Sequence, residues 1–212
     1  HETVQPLQPG QRYRVSVLLN HIAHECAVGS KLRIAISTAY WPIIWPSPAT
    51  VQLTLYSGTS HLLLPVRAPR NEDAALPDLP PPQQSRVHAQ TLLRAPESSV
   101  MRLEHDIEKN QITFVTIGDS GKIRFDQNGW EYADRTCMRQ SIQPDDPLSA
   151  RIEMENTQEY GRADGPQVRL ETHTLMTADT QNFYIKARLD AFENEQPVFS
   201  RSWLEQIPRD GV

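Results

Sequence analysis

Three groupings in this sequence have residue types that could do chemistry. The first is Gly118-Asp119-Ser120-Gly121, four residues of the Gly-Asp-Ser-Gly-Gly setting of a serine-protease nucleophile. Lys122 stands at the fifth place, and no Ala-Ala-His-Cys-like segment upstream supplies a base. A serine hydroxyl attacks only when a base and an oxyanion hole are built around it. Between two apolar stretches, Gly, Asp and Ser are the residues of a hairpin turn, and a turn is the expectation here. The second grouping is His21, His24 and Cys26. On an extended strand His21 and His24 point to opposite faces, and His61, His88, His105 and His173 lie scattered singly, so no four-ligand metal set is expected. The third is a set of acidic pairs, Asp145-Asp146 and Glu153 with Glu155, joined by Asp134. Nothing in the linear sequence sets two of these carboxylates across a cleft, as glycoside hydrolysis requires. No Gly-x-Ser-x-Gly elbow, phosphate loop or dinucleotide fingerprint occurs, and no motif calls for a cofactor.

A fourth feature is structural. Gly29 to Ser37 alternates, with Leu32, Ile34 and Ile36 on one face, then gives way to Tyr40-Trp41-Pro42-Ile43-Ile44-Trp45-Pro46-Ser47-Pro48. Each proline fixes its own φ and keeps the tryptophan before it out of the helical region. Two large rings on a stiff loop point to a contact. Tyr40, Trp41, Pro42, Trp45 and Pro46 are the candidate contact residues. Their expected role is interdomain or domain-end packing, with the stacking of a sugar or apolar ligand as the alternative.

The elements that would carry these residues are strands. Val15, Val17 and Leu19 alternate with polar neighbours, as do Val51, Leu53 and Leu55, and a short strand runs through Leu62, Leu64 and Val66. From 70 to 85 the pattern dissolves into Pro77, Pro80, Pro81 and Pro82 among acidic and polar residues, a semi-rigid linker. Beyond residue 86 strands are expected at 101–107 and 112–117, then at 151–160, 168–177, 183–192 and 198–204, with turn residues between the last four. Phe183, Ile185, Ala187, Leu189 and Ala191 would share one face and Tyr184, Lys186, Arg188 and Asp190 the other. No stretch carries a capped helical period. The expectation is an all-β chain: a few strands joined by turns over 1–69, a linker over 70–85, and an antiparallel β-meander over 86–212.

Composition narrows the function classes. The 212 residues carry a formal net charge of −5 with acidic and basic residues interspersed, so no basic stripe invites nucleic acid. The longest apolar run, Leu62-Leu63-Leu64, is far too short to span a membrane. Cys26 and Cys137 are read as two free thiols of a reducing, cytoplasmic compartment, with a single bridge between them as the alternative.

The residues from Pro6 to Arg67 resemble the C-terminal jelly-roll domain of the CocE/NonD hydrolases, which include cocaine esterase and the X-prolyl dipeptidyl-peptidases. The matching pieces are Leu7-x-Pro9-Gly10, Gly29-x-x-Leu32-Arg33-Ile34-x-Ile36-Ser37, Trp41-Pro42, Trp45-Pro46-Ser47-Pro48 and Leu62-x-Leu64-Pro65-Val66-Arg67. In the extension, Pro144 to Ala150, Asp179-x-x-Asn182-Phe183-Tyr184 and Ile207-Pro208-Arg209-Asp210 look like recurring segments of a long-tailed branch. Ser30 departs from the bulkier polar residue usual there. The resemblance implies that residues 1–69 form part of a jelly-roll, galactose-binding-like β-sandwich, a non-catalytic accessory domain that packs against the α/β-hydrolase catalytic domain of the same polypeptide and shapes its active site. It also implies that nucleophile, acid and base lie before His1, so no catalytic residue is carried over. The chain is read as a piece of a longer polypeptide, with self-association a further partner class. A carbohydrate- or small-molecule-binding β-sandwich is the alternative function.

Overall fold

The computed structural model describes residues 7–75, 77–86 and 88–210. Eight antiparallel strands form one open sheet: β1 (Gln90–Arg94), β2 (Val100–Asp106), β3 (Gln111–Phe125), β4 (Trp130–Gln143), β5 (Asp146–Arg162), β6 (Gln167–Ala178), β7 (Asn182–Glu193) and β8 (Gln196–Pro208). From β3 to β8 each strand pairs with the next. The all-β class and the meander are as expected, and the order follows from the connections. Short polar turns join long strands, and a short connection can only return the chain beside the strand it has left. At Asn194-Glu195 both residues have positive φ, the geometry that reverses a tight hairpin between β7 and β8.

Residues paired across an antiparallel ladder share a face, so the register sorts every side chain. One face carries Phe114, Tyr132, Met154, Leu170, Ile185 and Ala187 in adjoining rows. The opposite face carries Arg139, Glu153, His173, Arg188 and Asp190, cross-linked by ion pairs such as Arg188 with Asp190 and His173 with Glu153. The predicted division of β7 into an apolar and a charged row is correct. The core is narrow, with Val115, Ala133, Cys137 and Ala150 its buried apolar residues.

β1 and β2 form one interrupted edge. β1 pairs with residues 122–125 of β3 and β2 with residues 111–117, so the break at 95–99 lies opposite Gly118 to Gly121.

The first region differs from the strand-by-strand expectation. Among the described residues before β1 no strand is assigned, only two short 3-10 turns at Ser57–Thr59 and Asn71–Ala75. Leu32, Ile34 and Ile36 alternate as read, but all three are exposed. Alternation states which side of a segment should be buried and leaves open what buries it. Among the described residues no neighbouring strand pairs with these three. Cys26 is exposed, Cys137 is buried, and both are free thiols.

Candidate functional site

Gly118-Asp119-Ser120-Gly121 is not the hairpin turn expected from its composition. It lies inside β3 as a bulge: Asp119 pairs with Arg135 and Lys122 with Ala133, so Ser120 and Gly121 together oppose the single residue Asp134. Turn and bulge both need a positive φ and a short polar side chain, which is why composition alone does not separate them. The Ser120 hydroxyl stands in for the interrupted ladder. It donates to the Asp134 carbonyl at 3.2 Å and accepts from the Asp134 N–H at 2.9 Å. It is a structural hydroxyl.

Asp119 beside it anchors the broken edge. Its buried carboxylate accepts from Arg94 at 2.6 and 2.9 Å, from the Glu97 N–H at 2.9 Å and from the Gly121 N–H at 2.9 Å. The Arg94 guanidinium, then the Glu97 N–H, hold this carboxyl well below the usual range. Gly121 is required here. Its φ is +70°, and a Cβ would stand 2.5 Å from the Arg94 carbonyl oxygen and 2.8 Å from Pro96 N.

His21, His24 and Cys26 are all exposed, and among the described residues no group of three or more His, Cys, Asp or Glu could hold a metal ion. Asp145 sits at the β4–β5 turn with a φ of +67°, and Asp146 opens β5. Glu153 and Glu155 lie on the charged face, whereas Asp134 lies on the other, accepting from Asn156 at 3.0 Å and Gln158 at 3.1 Å. These carboxylates are not brought together.

The tryptophan–proline loop is the one predicted site that gathers distant residues. The Trp41–Pro42 peptide is cis, and the Ile44 N–H donates to the Tyr40 carbonyl at 2.9 Å, closing a compact turn. Tyr40 faces solvent, Trp41, Pro42 and Trp45 are half-buried, and Pro46 is buried. Trp41 meets Trp45 edge to face at 5.4 Å between ring centroids, and Trp45 meets Phe183 in the same manner at 5.7 Å. Phe183 begins the apolar row of β7.

Arg209, just past β8, completes the arrangement at 4% exposure. Its Nη2 donates to the Pro46 carbonyl at 2.6 Å and its Nη1 to the Asp179 carbonyl at 2.9 Å, while the guanidinium lies 4.9 Å from the centre of the Phe183 ring. Its own N–H donates to the Gln181 carbonyl at 2.8 Å. Burial pushes the guanidinium below its ordinary pKa, opposed by the nearby Asp179 charge.

The β6–β7 turn beneath is locked by Asp179. One carboxylate oxygen accepts from the Gln181 and Asn182 N–H groups, each at 2.7 Å, and the other from the Tyr184 hydroxyl at 2.6 Å. These bonds, the Tyr184 hydroxyl first, draw the Asp179 carboxyl below its usual range. Asp179, Asn182, Phe183, Tyr184 and Arg209 all belong to segments singled out in the sequence. Their convergence on the loop was not foreseen. A residue pattern such as Asp-x-x-Asn announces a turn, but nothing in the sequence joins Arg209 to Pro46, 163 positions away.

The arrangement holds half-buried rings, a buried guanidinium and backbone carbonyls. That is the composition of a packing joint. Residues 1–98 match the family model of the X-Pro dipeptidyl-peptidase C-terminal non-catalytic domain. The match runs through the proline-rich stretch and β1, ending inside the β1–β2 break. No curated protein and no solved structure matches the chain. No helix among the described residues is long and apolar enough to cross a membrane.

Proposed function

We propose that this chain is a non-catalytic accessory region of an X-Pro dipeptidyl-peptidase-like serine hydrolase. In this reading the Tyr40–Pro48 loop is an internal clamp that seats the family-type segment on the C-terminal sheet. The observation that carries it is the closure of the loop by Arg209 and Phe183, two residues of the sheet region that grip Pro46 and Trp45. A clamp of this kind fixes how the segment is presented to an α/β-hydrolase catalytic domain of the same polypeptide, and so bears on the shape of the active-site mouth.

The carbohydrate reading of Trp41 and Trp45 needs an open ring face. Trp45 has its ring set between Trp41 and Phe183, and the indole N–H of each tryptophan is buried. Packing is therefore favoured over stacking of a ligand.

The test is enzymatic. The purified chain is expected to turn over neither p-nitrophenyl esters nor Xaa-Pro anilides. Turnover abolished by Ser120→Ala would overturn the non-catalytic reading. In the enzyme that contains the chain, Trp45→Ala is expected to raise KM for an Xaa-Pro anilide. An unchanged KM would refute the part assigned to active-site shaping.

A further inference from the structure

β8 closes one side of the sheet, and among the described strands nothing pairs with its outer edge. It is 13 residues long and exposed at every position except Trp203. Long exposed edges invite another strand, and proteins usually blunt them with shortness, bulges or an inward charge. β8 has prolines only near its ends, at Pro197 and Pro208, and its bulge, at Val198, also lies at its start, before the stretch from Phe199 to Ile207. Between them Phe199, Leu204 and Ile207 are 49%, 74% and 45% exposed. Arg201 and Glu205 stand on one face of this edge, four residues apart, and neither makes an ion pair among the described residues. Arg201 lies only over the Trp203 ring, at 4.9 Å.

We infer that the outer edge of β8 pairs with β8 of a second copy of this chain, antiparallel and across a two-fold axis at Trp203. A two-fold normal to the sheet keeps the same face of both copies on the same side. Each residue then meets the one equally far beyond Trp203 on the partner copy. Arg201 faces Glu205, twice. Phe199 faces Ile207, twice, on the same apolar face, and the two Trp203 side chains meet at the axis. Shifting the axis to Arg201 or Glu205 sets like charges opposite one another. Centring it on Ser202 or Leu204 leaves both charges without an opposite partner. Complementarity of charge and of apolar side chains thus selects one register. The pairing also continues the apolar face across both sheets. The contact is one strand wide, smaller than a standard stable interface, so the dimer is a reversible one.

Sedimentation equilibrium of the chain tests this. Mass should rise with concentration from 24.1 kDa towards twice that value and stop there. Arg201→Glu should weaken the dimer about tenfold or more, because two exposed ion pairs become two like-charge contacts. Glu205→Arg should do the same. The double exchange R201E/E205R should restore dimerisation, which a variant damaged in folding would not do. In a Cys26→Ser background, Trp203→Cys should form a disulfide-linked dimer, since opposed Cβ atoms lie about 5 Å apart. Ser200→Cys should not, because its own copy lies about 20 Å along the ladder. A chain that stays monomeric, a double exchange that fails to restore the dimer, or crosslinking at position 200 instead of 203 overturns the proposal. Growth beyond a dimer also overturns it, since that marks head-to-tail pairing of β8 with the β1–β2 edge.

Discussion

Replacing Arg209 with alanine should open the loop clamp, and its geometry sets the size of the effect. Arg209 supplies two hydrogen bonds from a charged donor to backbone carbonyls, at 2.6 Å to Pro46 and 2.9 Å to Asp179, plus the face of Phe183. Such bonds contribute about 1.5–3 kcal/mol each. Burial of the guanidinium opposes them, as its lowered pKa shows. The net loss in Arg209→Ala should be about 2–4 kcal/mol, roughly half of it in the bond to Pro46. A loss of about 1.4 kcal/mol moves the docking equilibrium tenfold. Arg209→Lys should lose about half as much, because one ammonium cannot span both carbonyls and lie along the ring. The assay is acrylamide quenching of Trp41 and Trp45 with Trp130 and Trp203 replaced by phenylalanine, read beside thermal unfolding. Quenching should rise and the emission should shift to longer wavelength, with Tm lower by about 5–10 °C. Wild-type quenching and Tm in Arg209→Ala would refute the clamp. Full function in Arg209→Lys would refute the two-carbonyl geometry.

Gly121→Ala should cost about 2 kcal/mol or more in urea unfolding, since its φ of +70° and the Arg94 carbonyl 2.5 Å from the new Cβ both oppose it; a neutral result removes the bulge argument. The Asp119 carboxyl is held below its unfolded value of about 3.9, so its contribution is full at neutral pH and is lost as pH falls through 4 towards its depressed native value. Wild-type Tm should therefore drop more steeply between pH 6 and pH 3 than that of Asp119→Asn, and parallel profiles would contradict the assignment. Cutting the chain at a protease site placed among Pro80, Pro81 and Pro82 should release the first region from the sheet in dilute solution, measured by size exclusion. Persistent association would show a larger contact than the clamp.

Legibility in the sequence followed the range of the interaction. β7 could be read residue by residue because alternation is local: Phe183 and Ile185 against Tyr184 and Lys186 is a pattern of period 2 that any half-buried sheet enforces. β4, Trp130–Gln143, falls between the strands expected at 112–117 and 151–160. Arg135, Arg139 and Gln140 interrupt its apolar sequence, since one face of the sheet is charged and the other mixes Thr136 and Gln140 with Met138. β1 was not expected at all, because its five residues are held by pairing with β3 and by the Arg94–Asp119 contact. The same limit applies to the loop. Its stiffness, its rings and its need for a contact are written in Trp41-Pro42 and Trp45-Pro46. The contact itself depends on Phe183 and Arg209, which only the folded meander brings to one place.

The proposed clamp is a small contact, and the linker is what would let it suffice. Among the described residues, the hydrogen bond and ring contact that join the first region to the sheet both pass through Trp45 and Pro46. Two ring edges and one guanidinium bury far less than the area of a free-standing interface. Residues 70–85 keep the partners on one chain, so docking is intramolecular and is governed by an effective concentration in the millimolar range. Proline residues shorten the set of conformations the linker samples, which raises that concentration further. A weak joint closed by a short tether is stable yet reversible. Its strength is concentrated in Arg209, whose buried guanidinium is costly to desolvate unless both carbonyls are in reach. Movement of either the loop or the β6–β7 turn takes a carbonyl from that charge, so the joint favours one seating over its neighbours more strongly than apolar contact alone would.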